Sequence, residues 1–415
     1  MSEVIPSAAD RHHPETIPLD QIDLIRSDIF HNNDYVTLFA RLRQEDPVHL
    51  QADHPDVGSF WNISRYEDIM HVETNPEIYS SAGTIVVDDM DERFPLPMFI
   101  ATDPPEHTRY RQAFNPIFAP ANLAKFEDLI RERSAAVLDA LPIGEIFDWV
   151  DRVAVELTTQ MLATLFGFPF EERNLLTRWS DIATALRDNS GIVESEEQRQ
   201  KELMECLAYF SRLRDQRMKQ PPSHDLISVL AHGDAIRNMK PSEYLGNLLL
   251  LIVAGNDTSR NSMTGGLWFL NQFPAQYDKL RSNPDHISTM VWEIFRYQSP
   301  LAYMRRTARI DSMVGNKTIR AGEKLLMWYI SGNFDDAMFN DPYEFLIDRP
   351  KVRQNLAFGF GIHRCIGVRL AEMQLRILWQ EILQRFKHIE VVGEPRMVNS
   401  SFIKGYTSLP VVIHQ

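Results

Sequence analysis

The longest unbroken apolar run in the chain, Leu248 to Ala254, lies inside a segment from Pro241 to Phe273 whose pattern predicts one long helix. A helix apolar on all sides is a buried one, so this run marks the centre of a large core. Directly after it the pattern fails. Ala254-Gly255-Asn256-Asp257-Thr258-Ser259 puts glycine, an acid and alcohols where burial is expected. Charge in a buried helix is unfavourable without partners, and Thr258 can bond back to the carbonyl of Ala254 and loosen the turn. Elsewhere, helical patterns run over Asp20–Arg43, Tyr66–Asn75, Asp148–Phe168 and Phe170–Leu186, and over the charged segment Glu194–Lys219, which reads as an outer helix ended by Pro221-Pro222-Ser223. Strand-like stretches fall at Val48–Gln51, Ser59–Ser64, Lys324–Ile330, His388–Val392 and towards Ile413. These elements predict a mainly α protein with a small β region.

The 415 residues show no repeat, low-complexity tract or Pro/Gly/Ser-rich linker, so residues 1–415 read as one domain. Met1 to Asp20, with Pro6, Pro14 and Pro18, reads as a mobile tail without the apolar stretch of a signal peptide. The polar loop Arg187–Val193 reads as a hinge. A hydrophobic content of 44% is enough to enclose a cofactor, and a formal charge of −14 opposes general nucleic-acid binding, which requires a basic face. Two cysteines far apart, Cys206 and Cys365, make no disulfide framework and suit a reducing cytoplasm. The longest apolar run falls far short of the roughly 20 residues that span a bilayer, so no membrane anchor is expected.

Candidate chemistry concentrates in Phe358-Gly359-Phe360-Gly361-Ile362-His363-Arg364-Cys365-Ile366-Gly367, followed at once by a periodic helix through Leu370, Met373 and Ile377. The glycines allow backbone N–H groups to turn towards the sulfur, and the positive end of the next helix favours a thiolate. Gly367 leaves room for something flat to lie against the helix start. A zinc site on His363 and Cys365 would need further ligands nearby, and none stand at suitable spacing. The spacing Phe-x-x-Gly-x-His-x-Cys-x-Gly resembles the haem-binding loop of the cytochrome P-450 family. That resemblance implies the P-450 fold around haem b, with Cys365 as axial thiolate, His363 on a haem propionate, and Phe358 and Gly367 against the haem.

The resemblance extends along nearly the whole chain, from about Leu24. His107 and Arg111, one turn apart after Pro104-Pro105, take the positions of propionate partners, and Arg306 takes a third. Ala254-Gly255-Asn256-Asp257-Thr258 resembles the family's Ala/Gly-Gly-x-Asp/Glu-Thr groove. Asp257 and Thr258 are then the proton-relaying pair, and Ala254 lies over the haem. Glu293 and Arg296 with Arg349 resemble the family's structural ion-pair network. The loop Ser80–Pro97 becomes a flexible wall of the substrate pocket. Ile85, Val86, Leu251, Ala254, Leu301, Ala302, Met304 and Phe402 are its expected apolar lining.

A narrower likeness, in Leu157–Phe166, Thr177–Asp181 and Gly255–Ser262, is to the family's soluble bacterial alkane hydroxylases, which oxidise terminal methyl groups. This chain departs from their pattern at Ala254, where a second glycine is usual, and at Ser259 in place of threonine. The likeness implies dioxygen, a 2Fe-2S ferredoxin and an NAD(P)H-dependent reductase as partners, since no flavin or iron–sulfur motif is present. Arg109, Lys351, Arg353 and Arg364 could attract such an acidic ferredoxin. Fatty acids, terpenes or steroids remain open as substrates. So do a peroxide-driven enzyme, against which the intact Asp257-Thr258 pair speaks, and a haem sensor.

Overall fold

The computed structural model describes residues 13–184, 192–234, 236 and 239–414. Its axis is the helix Pro241–Gln272, 32 residues long and therefore about 48 Å from end to end at 1.5 Å per residue. Glu243 opens it by accepting from the Lys240 N–H at 2.9 Å. The first half, with Leu245, Leu248 and Ile252, joins an apolar core with Phe166, Trp179 and Phe210. The second half, with Met263, Leu267 and Leu270, joins a separate core with Phe295 and Trp379. The polar interruption at Ala254–Ser262 falls at the seam between these two cores.

Helices Glu156–Phe166, Asn174–Thr184, Ile287–Gln298 and Val368–Arg385 pack around this axis. Gly255 faces the first of these closely: a Cβ there would stand 2.7 Å from Leu162 Cδ2, so that side chain would have to turn aside. A five-stranded sheet flanks the helices in the order Val48–His54, Gly58–Ile63, Lys324–Met327, Met304–Ala308, Tyr79–Ser80. It is antiparallel except where Gly58–Ile63 runs parallel to Lys324–Met327, Phe60 facing Lys324 and Ile63 facing Met327. A small three-stranded sheet of Phe147–Asp148, Pro410–His414 and His388–Val391 packs on the central helix through the last of these strands.

Several sequence expectations change in detail. The helix expected over Asp20–Arg43 is two pieces, Ser27–His31 and Tyr35–Glu45, because Asn33 takes a left-handed φ of 61° that an α-helix does not continue. Part of the segment expected to be a mobile tail is tied down. Residues 1–12 lie outside the described residues, but Arg41 Nη1 donates to the carbonyls of Pro14 and Ile17 at 3.1 and 2.7 Å. The charged helix Glu196–Arg217 is not wholly outer, since it buries Leu203, Cys206 and Phe210. Asp148–Phe168 begins as a π-helical stretch at Val150–Val155 before turning α. The strand expected to reach Ile330 stops at Met327 and gives way to a helical turn, Tyr329–Gly332. The hinge expected at Arg187–Val193 lies outside the described residues except for its last two. Among the described residues, no helix is long and apolar enough to cross a membrane.

Candidate active site

The cysteine loop closes on itself where the Cys365 N–H donates to the Phe358 carbonyl at 2.8 Å. Gly361 has a φ of 63°, and a Cβ there would stand 2.3 Å from the Glu73 carbonyl oxygen, so only glycine fits. Cys365 lines a cavity of about 580 Å³ together with Arg111, Trp292, Arg353, Arg364 and Arg369. Cys365 is exposed on the cavity side; desolvation by the surrounding loop pushes its thiol up, against the pull of the Gly367 and Val368 N–H groups and of Arg111 and Arg364. A coordinated metal ion deprotonates a thiol outright.

Beside the loop, the rings of His107 and His363 lie 4.0 Å apart. Helix Glu106–Phe114 carries His107 and, one turn on, Arg111. Burial, reinforced by Arg111 and Arg306, pushes His107 down to about 4. Burial with Arg306, His107 and Arg111 pushes His363 down to about 2. Among the described residues, both ring nitrogens of His363 are buried without a hydrogen-bond partner. Two neutral imidazoles and two guanidinium groups thus converge, and such donors find their natural partners in carboxylates.

On the central helix, Thr258 Oγ1 donates to the Ala254 carbonyl at 2.7 Å, as the sequence suggested. Ala254 itself is exposed along this face. Asp257 is 2% exposed and is held by Arg260 and by Ser180, whose hydroxyl lies 3.3 Å away. Arg260 also reaches Asp181 at 3.5 Å. Burial raises the Asp257 carboxyl, and Arg260 and Ser180 offset part of that. Asn256 accepts from Thr158 at 3.1 Å.

Glu293, Arg296 and Arg349 meet in a fully buried knot. Arg296 Nε and Nη2 each reach Glu293 at 2.8 Å, and Arg349 Nε lies 2.9 and 3.0 Å from its two oxygens. The remaining Arg296 donors go to the carbonyls of Asn333 and Pro342 at 2.7 and 2.9 Å.

A sequence model of the family described as Cytochrome P450 matches residues 59–407. The chain belongs to the cytochrome P450 family. It is 34% identical over 409 residues to linalool 8-monooxygenase of Pseudomonas putida, covering 95% of this chain and 99% of that protein. Cytochrome P450-153 from Novosphingobium aromaticivorans superposes with a TM-score of 0.88 at 43% identity, over 97% of this chain and all 100% of that one. CYP153D17 from Sphingomonas sp. PAMC 26605 does so with a TM-score of 0.90 at 44% identity, over 96% and 100%.

This P450 is a monooxygenase, and its family carries haem on a cysteine thiolate. The residues present fit such a group. The unpartnered His363 nitrogens suit propionates, whereas the other cysteine, Cys206, is fully buried in an apolar core with its thiol pushed far up. Among the expected substrate residues, Ile85, Val86, Leu301, Met304 and Phe402 are half-buried. Three of the expected lining residues pack more deeply than the sequence suggested. Ala302 is fully buried against Tyr303 and Trp328, where packing consumes its surface. Leu251 turns into the core at 8% exposure, and Leu250 is the half-buried neighbour. Met304 packs into the core of the large sheet rather than standing clear of it. The segment Ser80–Pro97, expected as a flexible wall, is less free than its composition suggests. Arg305 N donates to the Ile85 carbonyl at 2.9 Å, and Arg305 and Lys324 both hold Asp89 at 2.8 Å. Sequence reasoning missed Arg260, Asp89 and Glu73, because their partners are distant or lie outside any recognisable spacing.

Proposed function

We propose that this P450 hydroxylates medium-chain alkanes or similar apolar chains, preferentially at the terminal carbon, with electrons from a 2Fe-2S ferredoxin and its NAD(P)H-dependent reductase. Cys365 is the iron ligand in this reading, and His107, Arg111, Arg306 and His363 hold the propionates, with Phe358 and Gly367 against the ring. The observation that carries it is the polar interruption in an otherwise apolar and continuous helix. Thr258 is tied to the Ala254 carbonyl, and the exposed Ala254 methyl projects from a helix that packs on the one following Cys365. Haem bound there supplies reductive activation of dioxygen and insertion of one oxygen atom into a C–H bond. The chain's part is to orient substrate, exclude water and move protons. Thr258 presents its hydroxyl beside Ala254, within a helix that stays continuous. Asp257, raised by burial, is suited to hold a proton closer to neutral pH. It connects outward through Arg260 to Asp181. Arg353 and Arg364, on the cavity beside Cys365, supply positive charge for an acidic donor protein, with Arg109 exposed nearby in sequence to Arg111.

A terminal methyl C–H bond is stronger than an internal methylene one, so end-on attack requires a narrow approach. Each tenfold preference needs about 1.4 kcal/mol between transition states. Ile85, Leu301 and Ala254 are the walls that provide it. Relatives also support oxidation at chain ends, as in the methyl-branched lipid omega-hydroxylase of Mycobacterium tuberculosis, 29% identical over 413 residues. The linalool enzyme favours a second reading, a terpene substrate. Two measurements test the proposal. The ferrous carbon monoxide complex is expected to show the red-shifted Soret band of thiolate ligation, lost in Cys365→His. Octane turnover with a surrogate ferredoxin system is expected to yield mainly 1-octanol. Mostly 2- and 3-octanol would refute the terminal assignment, and preferred turnover of linalool over octane would favour the terpene reading.

A further inference from the structure

Glu73 belongs to no motif. It sits in the last turn of helix Tyr66–Thr74, in a stretch whose sequence reads as an ordinary amphipathic helix end. Yet it is 3% exposed, and its carboxylate is enclosed by three parts of the chain. Arg306 Nη2 donates to Oε2 at 3.1 Å. The Tyr329 hydroxyl, itself 3% exposed, donates to Oε1. The cysteine loop covers it from the third side. A Cβ at Gly359 would stand 3.3 Å from Glu73 Oε1 and 3.5 Å from the Tyr329 hydroxyl, and Gly361 lies against the Glu73 carbonyl.

A buried carboxylate is unfavourable unless its partners repay its lost hydration. Were Glu73 only a clamp between helix and loop, a neutral amide or a well-packed apolar side chain would do the work without that cost. Its position suggests more. Arg306 faces the same histidine pair, His107 and His363, that crowds the loop. A guanidinium has five N–H donors and one charge to share. Arg306 spends Nη1 on the Arg305 carbonyl at 2.9 Å and Nη2 on Glu73. Glu73 therefore fixes where Arg306 points and withdraws part of its positive charge from whatever else it binds.

We infer that Glu73 is a positioning residue that tunes the haem by dividing Arg306 between itself and a propionate, with Tyr329 holding the carboxylate in place. The inference rests on the haem reading above. Its consequence follows from charge alone. Reducing ferric to ferrous iron adds one electron, and no bond is made or broken at Glu73. A fixed negative charge beside the loop opposes that electron, and so does the withdrawal of Arg306. Both effects hold the reduction potential down, and both vanish together if the carboxylate is neutralised.

The test is a redox titration of haem-loaded Glu73→Gln, followed by its visible spectrum. The amide keeps an oxygen for the Tyr329 hydroxyl but offers Arg306 no charge. At a fixed solution potential the ferrous-to-ferric ratio is expected to rise by about threefold or more, as removal of a nearby buried charge requires. Glu73→Asp, which keeps the charge, is expected to return the ratio towards that of the wild type. An unchanged ratio in a fully loaded Gln variant overturns the inference. If that variant does not load, Glu73→Met with Tyr329→Phe removes the charge and the donor it would orphan, and the same rise is expected. Failure of both variants to retain haem makes Glu73 a structural buttress and also overturns it. The wild-type carbon monoxide band reads the haem-thiolate assignment separately, so loss of one conclusion is distinguishable from loss of the other.

Discussion

Glu293, Arg296 and Arg349 lie at 0%, 0% and 4% exposure, and their donors and acceptors close on one another or on backbone carbonyls. Asp257 in the central helix is just as buried, but its partner Arg260 reaches on to Asp181, whose side chain is 34% exposed. One region locks its charges into a finished knot, and the other leaves a chain of polar groups leading outward. The difference follows from position. The knot joins the helix Ile287–Gln298 to the loop segments around Asn333 and Pro342, where any motion would displace the cysteine loop. The polar seam lies between two apolar cores, where its charges reach the surface through Arg260 and Asp181.

Breaking the knot should cost the most. Glu293→Ala leaves two arginines buried without their counter-charge, so a loss of about 3–5 kcal/mol is expected, read by urea unfolding and by failure to retain haem. The histidine pair beside the cysteine loop should show its strain in pH. His107 is pushed down to about 4 in the folded chain, so it binds its proton more readily when unfolded. Stability from this group is fully present above the ordinary histidine value near 6.5 and is lost as pH falls from there towards 4. The loss is at most about 1.4 kcal/mol per pH unit. Urea midpoints of the haem-free protein between pH 7 and 4.5 should fall less steeply in His107→Gln than in the wild type.

The seam should behave in the opposite way. Thr258→Ala loses one hydroxyl bond worth about 1 kcal/mol and should unfold close to the wild type. Product formed per NADH consumed should nevertheless drop severalfold, the missing electrons appearing as hydrogen peroxide. Unchanged coupling would remove Thr258 from proton delivery. The smallest effect is expected at the pocket wall. Asp89 is 70% exposed on its side chain, though Arg305 and Lys324 both hold it. Asp89→Asn should cost about 0.5 kcal/mol and speed proteolysis within residues 80–97. That difference should vanish in about 1 M salt, where the screening length is only about 3 Å.

Local spacing determined much of this protein. The cysteine loop, the buried helix with its polar break, the His107–Arg111 turn and the Glu293–Arg296 turn were all legible, because each depends on residues a few positions apart whose backbone geometry is set by near neighbours. The extended apolar periodicity was enough to indicate a mainly α chain around one central helix. Tertiary structure alone decided which charges meet. Glu73 and Arg306 are 233 residues apart, and Glu73 and Tyr329 are 256 apart; no spacing links them. Nor could apolar character separate Ala302, consumed by packing against Trp328, from half-buried Leu301 beside it. A side chain's hydrophobicity states that it leaves water, but only the assembled surfaces decide whether protein or substrate takes water's place.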